Sequence, residues 1–340
     1  MKNGLRWIGL IIATMIGAGY ASGREIWQFF GYESGLAILI FAVLFGVSCY
    51  VILSVSFQLK SEHYLPVLQS LIGKRLARFY DWLILTYLFT TLFVMISGSG
   101  ATFTIFNFSY LTGIMIIFIL IGLVIPRGID GILSVNRFLL PLLIVGLGLI
   151  LILFIYQEHI HPFHDLKKQG NWSSSIPFTS LNVAAIIAVI GAIGKEIKSR
   201  TEIIVASIGS AVILGIISFL YNTSLTHVAD QLLIFEIPLF AILNGYPFQL
   251  FLIMALLLWF AIYTTALTSL FALTSRLKEY TDIGGGKLGF IALLSALPFT
   301  FFGFSKLIAY LYPLYGLLNL YILFAILIFP LTKRAHNAKV

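Results

Sequence analysis

Apolar residues along this chain fall in long unbroken runs separated by short polar stretches. Ten such runs lie at roughly 5–30, 34–57, 79–106, 110–126, 132–156, 178–195, 202–221, 247–275, 287–303 and 305–331. A hydrocarbon core of about 30 Å needs about 20 apolar residues at 1.5 Å rise each, so every run predicts a membrane-spanning helix. The stretch Asn222–Tyr246, with "FEIPLFAILNGY", is too short and too polar at its edges for a span and predicts an external re-entrant or lid helix. The spans divide into residues 1–156 (spans one to five) and 178–331 (spans six to ten). An external loop, 157–177, joins the halves, and a cytoplasmic tail follows at 332–340. Five spans per half force the two halves into opposite orientations. The expectation is an all-α integral membrane protein, a five-plus-five inverted repeat with spans one and six broken near the midplane.

Composition agrees. The chain is 60% hydrophobic and 10% charged, against about 25% charged in soluble domains. Its net charge of +8 would suit nucleic acid, but the charges are sorted by side. With the N-terminus in the cytoplasm, all but four of the 21 Lys and Arg residues fall inside, the exceptions being Arg24, Lys167, Lys168 and Lys306. Acidic residues divide almost evenly, as the positive-inside rule expects. The basic charge therefore sets topology, the partner is the lipid bilayer, and no nucleic-acid partner is expected. Both termini are predicted cytoplasmic. Residues 1–23 also have the outline of a cleavable signal peptide. Removing them would leave nine spans and spoil the charge pattern. The one cysteine, Cys49, excludes an intrachain disulfide.

Span one carries "MIGAGYASGREI", Met15 to Ile26. Counting from Leu5, Gly17 lies about 18 Å along the helix, near the midplane, and Arg24 about 28 Å along it. Arg24 and Glu25 are therefore expected in an outer vestibule. For the glycines two readings stand. Gly19 and Gly23 could form a small-residue packing face. Alternatively the run from Gly17 through Ala18, Gly19, Tyr20 and Ser22 to Gly23 unwinds, offering carbonyls to a cation and amides to a carboxylate. Span six offers Asn182 in "FTSLNVAAIIAVIGAIG". Span three offers Ser97 and Ser99 in "MISGSGAT", whose small residues would let span one approach. Tyr20 and Tyr263 are candidates to line or gate a site. Span eight holds Thr264 and Thr265 in "YTTALTS". Their hydroxyls either bond back one turn along the helix or help to form a hard-oxygen Na+ site.

The run "IGAGYASGREIWQFF" resembles the N-terminal signature of the YkvI family of bacterial membrane proteins, and "SGSGA" and the Asn182 region are similar to that family too. More distantly, the layout resembles the amino acid–polyamine–cation superfamily and its LeuT fold. That resemblance implies a Na+ site from the carbonyls of Ala13, Ile16 and Ala261 with the hydroxyls of Thr264 and Thr265. Thr265 stands where serine is usual. Some members of the superfamily use protons instead.

Two rivals remain. A ligand sensor or channel on the same fold would look identical in sequence. A membrane enzyme could use "QEHIHPFHD", where Glu158, His159, His161, His164 and Asp165 could hold Zn2+, although Pro162 interrupts any helical face. No nucleotide, hydrolase or zincin motif is present. The reading is a non-enzymatic secondary transporter of the bacterial cytoplasmic membrane. It moves a small-molecule solute, an amino acid or similar zwitterion, with Na+ or H+, and has no cofactor beyond the possible coupling Na+. Oligomeric state is left open.

Overall fold

A computed structural model describes residues 2–125, 130–161, 168–278 and 280–337. Among these residues all regular structure is helical. Six helices are long and apolar enough to cross a membrane, and four shorter apolar helices stand beside them. Span one is made of α1 (Lys2–Met15), α2 (Ala18–Ala21) and α3 (Arg24–Phe29). Spans two to five are α4 (Gly35–Leu59), α5 (Tyr64–Thr104), α6 (Tyr110–Val124) and α7 (Asp130–Gln157). Spans six and seven are α8 (Ser175–Ile190) and α9 (Arg200–His227), followed by a short α10 (Pro238–Ile242). Spans eight and nine are α11 (Phe248–Leu277) and α12 (Gly285–Thr300), and α13 (Phe304–Leu318) with α14 (Leu320–Asn337) forms span ten.

Glycine geometry explains the interruptions. Gly17 is extended (φ −75°, ψ 179°) and ends α1, while Gly23 takes the left-handed conformation (φ 79°, ψ −7°) and separates α2 from α3. Gly73 (φ 80°, ψ 162°) divides α5 into a short leading helix and span three. Span six leaves its helix at Gly191 rather than at Asn182. α8 runs unbroken through that residue for 16 residues, about 24 Å. It stops at Ile190, and residues 191–199 form no helix. The segment after Asn222 is corrected too: α9 continues to His227, leaving the lid as the five-residue α10, which Pro238 opens. Proline suits that first position because its missing N–H would have no partner there.

In lipid, apolar surface gains little by leaving the solvent, so close packing and buried polar bonds must hold the helices together. Leu39 and Val43 on α4 and Ile208, Val212 and Ile216 on α9 recur at four-residue spacing and point outward, where acyl chains would cover them. Inward, Phe178 of α8 meets Phe30 and Phe41, each at 4.7 Å between ring centres. α1 lies along α9, where Gly209 leaves room for Ile8. The bundle end that holds the N-terminus is latched by polar contacts. Arg6 pairs with Glu196 at 2.9 Å, Trp7 Nε1 donates to Glu202 at 3.2 Å, and Lys195 pairs with Glu62. Asp81 on α5, only 2% exposed, receives two nitrogens of Arg276 from α11 and the hydroxyls of Tyr64 and Tyr280.

Candidate functional site: the break in span one

The last regular bond of α1 runs from Ile16 N to Ile12 O at 2.7 Å, and the next backbone bond is Ala21 N to Gly17 O at 2.9 Å. Between them, the carbonyls of Ala13, Thr14, Met15 and Ile16 receive no backbone N–H among the described residues. The amides of Gly17, Ala18, Gly19 and Tyr20 likewise find no backbone acceptor. A helix end leaves such groups exposed, with partial negative charge on the carbonyls and partial positive charge on the amides. At membrane depth, unpaired backbone persists only where protein or a watery cavity satisfies it.

Beyond the break the scaffold takes up the carbonyls. Tyr221 on α9 donates to Ala21 O at 2.8 Å, Leu239 N on α10 donates to Ser22 O at 2.9 Å, and Ser22 Oγ donates to Gly19 O at 2.8 Å. Tyr20 is buried with its hydroxyl 2.7 Å from Ser218 Oγ, on the α9 side. Gly23 is needed twice over. Its φ favours glycine, and a Cβ there would come within 2.8 Å of the Tyr221 ring.

α11 brings its threonines to the break, since a Cβ on Gly17 would stand 3.8 Å from Thr265 Oγ1. Both hydroxyls bond back along their own helix: Thr265 donates to Ala261 O at 2.7 Å, and Thr264 reaches Phe260 O at 3.0 Å and Ala261 O at 3.2 Å. Their protons are thus engaged while oxygen lone pairs remain, and Ala261 O already accepts from both.

Other sequence candidates are placed elsewhere. Ser97 bonds Tyr110 at 2.5 Å, and Ser99 donates to Gly113 O at 2.8 Å and accepts from Trp259 at 2.7 Å. The small residues of span three admit α6 and α13, where Gly113 meets Ser99 and Gly98 meets Phe304, and α2 of span one also approaches α5. Asn182 donates to Phe178 O, one turn back in α8. Tyr263 stacks on Trp259 and points its hydroxyl toward Leu120 O at 3.4 Å. Glu25 departs most from expectation. It is 7% exposed, and its carboxylate folds back against Gly19 rather than lying in a vestibule. Arg24 is half-buried near Glu236. The depth count failed because α1 to α3 do not form one straight rod, and a glutamate folded back along its own helix reaches about a turn deeper than its Cα. Tyr221 and Leu239 carried no signal for their roles in the sequence.

A cleft of about 350 Å³ lies away from the break, lined among others by Tyr32, Glu158, His159, His161, Asn222 and His227. Glu158 and His227 stand 3.5 Å apart. Among the described residues no three potential metal ligands gather, and His164 and Asp165 lie outside the described residues.

No family model matches the chain. It is 46% identical over 333 residues to the uncharacterized protein YyaD of Bacillus subtilis (strain 168), covering 98% of each. The chain belongs to the YyaD family. The uncharacterized membrane protein YkvI of the same organism is similar at 25% identity over 323 residues, 93% of each chain, which joins YyaD-type and YkvI-type chains in one family. Among solved structures, MhsT in complex with L-phenylalanine is similar with a TM-score of 0.67 at 16% identity, covering 93% of this chain and 87% of MhsT. Inward-facing Mhp1 gives 0.61 at 14% identity, covering 92% and 73%. The Eremococcus coleocola manganese transporter, bound to an aromatic bis-isothiourea compound, gives 0.54 at 13%, covering 87% and 69%. The fold of this family is therefore the LeuT fold, in a multi-pass membrane protein.

Proposed function

We propose that this YyaD-family chain is a secondary active transporter of a small solute, an amino acid or similar zwitterion, coupled to Na+ by alternating access, with H+ as the alternative ion. One observation carries the reading: span one is broken at depth, and its unpaired carbonyls end beside the paired threonines of α11. Carbonyls of Ala13 and Ile16 and the hydroxyl oxygens of Thr264 and Thr265 are the proposed Na+ ligands. Ala261 O joins them only by giving up one of its two threonine bonds. The amides of Gly17, Ala18 and Gly19 offer the opposite polarity to a solute carboxylate. Contacts hold span one on both sides of the break, from Arg6 and Trp7 at one end to Tyr221 and Leu239 at the other. Transport would proceed by releasing one set while the other holds. The charge pattern supports a cytoplasmic Arg6 end. The amino acid in MhsT and the transporter function of the Eremococcus protein support the substrate class and the reaction type.

Proteoliposomes under an imposed Na+ or H+ gradient should accumulate labelled amino acids above equilibrium. Saturable binding without gradient-driven accumulation would instead identify a sensor on the same fold. A Thr264→Ala, Thr265→Ala double variant should lose Na+ dependence, and unchanged Na+ dependence would overturn the ion site.

A further inference from the structure

Glu25 is a buried carboxylate with no cation to answer it. Its side chain makes no hydrogen bond or ion pair among the described residues, although it is more than nine-tenths buried. The neighbouring Arg24 makes no ion pair with it, and among the described residues the Arg24 Nε is itself buried without a hydrogen-bond partner. A carboxyl in such a place is expensive in hydrocarbon unless something positive joins it. Its position at the break is built rather than incidental. Gly19 has no side chain, and a Cβ there would collide with the carboxylate of Glu25. The ionisable groups in electrostatic range are phenols: Tyr20 on the same span, Tyr87 from α5 and Tyr312 from α13. Tyr20 is turned toward α9. Tyr87 and Tyr312 act on the carboxylate from two further helices, and Tyr315 stands edge-on to Tyr87 at 5.2 Å.

We propose that Glu25 anchors the positive charge of an organic ammonium ligand at the broken helix. A buried carboxylate without a hydrogen-bond partner favours an alkylammonium, through a charge-assisted hydrogen bond. Na+ prefers a shell of several hard oxygens, which the threonine side of the break resembles more closely. The two cation sites are thereby separated: oxygen ligands below Gly17, a carboxylate against Gly19. The inference rests on reading the break as a binding site, and does not require that the ligand be transported.

Thermal unfolding of the purified full-length protein tests it with three probes: methylammonium, lysine and NaCl, each at matched ionic strength. Ligand binding to the folded state raises stability with ligand concentration. The wild type should be stabilised by both amines, and Glu25→Gln should bind them roughly tenfold or more weakly while keeping its response to Na+. Gly19→Ala, which displaces the carboxylate, should weaken the amines as well. Equal amine affinity in wild type and Glu25→Gln would overturn the proposal. So would a Glu25-dependent response to Na+ alone. Should the variants fold poorly, the wild type still answers, because a hydrophobic carbodiimide labels buried carboxyls and mass spectrometry locates the label. Methylammonium should protect Glu25, and unchanged labelling would count against the subsite. Gradient-driven uptake of methylammonium or lysine that persists unchanged in Glu25→Gln would refute this inference and leave transport standing. Amine binding without uptake would do the reverse.

Discussion

Replacing Gly23 with alanine probes the geometry on which the break depends. Two costs can be assigned from the structure. A left-handed φ of 79° costs a non-glycine residue about 1–2 kcal/mol. The new methyl also lies within 2.8 Å of the Tyr221 ring and hydroxyl, so the tyrosine must move and abandon Ala21 O. Measured hydrogen bonds inside membrane proteins average about 0.6 kcal/mol and reach about 1.7. Together these give a loss of roughly 2–4 kcal/mol. Reversible unfolding in mild detergent would measure it, with Tyr221→Phe as a companion that removes only the hydroxyl and should cost about 0.6–1.7 kcal/mol. In the double variant Gly23→Ala, Tyr221→Ala the clash has no partner, so its cost should fall short of the sum of the singles. A Gly23→Ala variant within about 0.5 kcal/mol of wild type, or strict additivity in the cycle, would refute the reasoning.

Further outcomes follow from the polar contacts. Arg276→Ala should destabilise by about 3–5 kcal/mol, because it strands the buried Asp81 carboxylate; adding Asp81→Asn should recover much of that loss in the same unfolding assay. Ser99→Ala should cost about 1–2 kcal/mol of stability by orphaning Trp259 Nε1. It should leave solute affinity unchanged, and a binding defect without a stability defect would restore Ser99 to the site. Lys195 holds the exposed Glu62 carboxyl below its ordinary range. Its small contribution is therefore present at neutral pH and lost as pH falls through the lowered value, and salt should screen it. Comparing wild type with Glu62→Gln across acidic pH at low and high salt checks both signs.

The spans were readable because lipid imposes one period and one length. Nothing comparable fixes where a polar side chain turns. "SGSGA" announces close approach but not by which helix, and Gly113 on α6 and Phe304 on α13 occupy space that it leaves. Asn182 marks a polar position in span six, but its amide is spent on a carbonyl one turn earlier, so the helix passes through it intact. The glycines of span one were legible as a departure from helix, since their cost at depth demands a reason. The fate of Glu25 was not. A linear depth count assumes one continuous rod, and the turn at Gly23 with the missing side chain of Gly19 sends the carboxylate inward instead. Tyr221 and Leu239 were invisible for the simpler reason that their partners are far away in sequence.

The bond from Leu239 N to Ser22 O joins the short α10 directly to the broken span. That single proton is a built-in clock. Each time α10 lifts from span one, the Leu239 amide becomes free to exchange with deuterium, and each return protects it again. Where exchange outpaces reclosing, the exchange rate of one peptide nitrogen would count the openings of this face, and where it does not, it would report the open population.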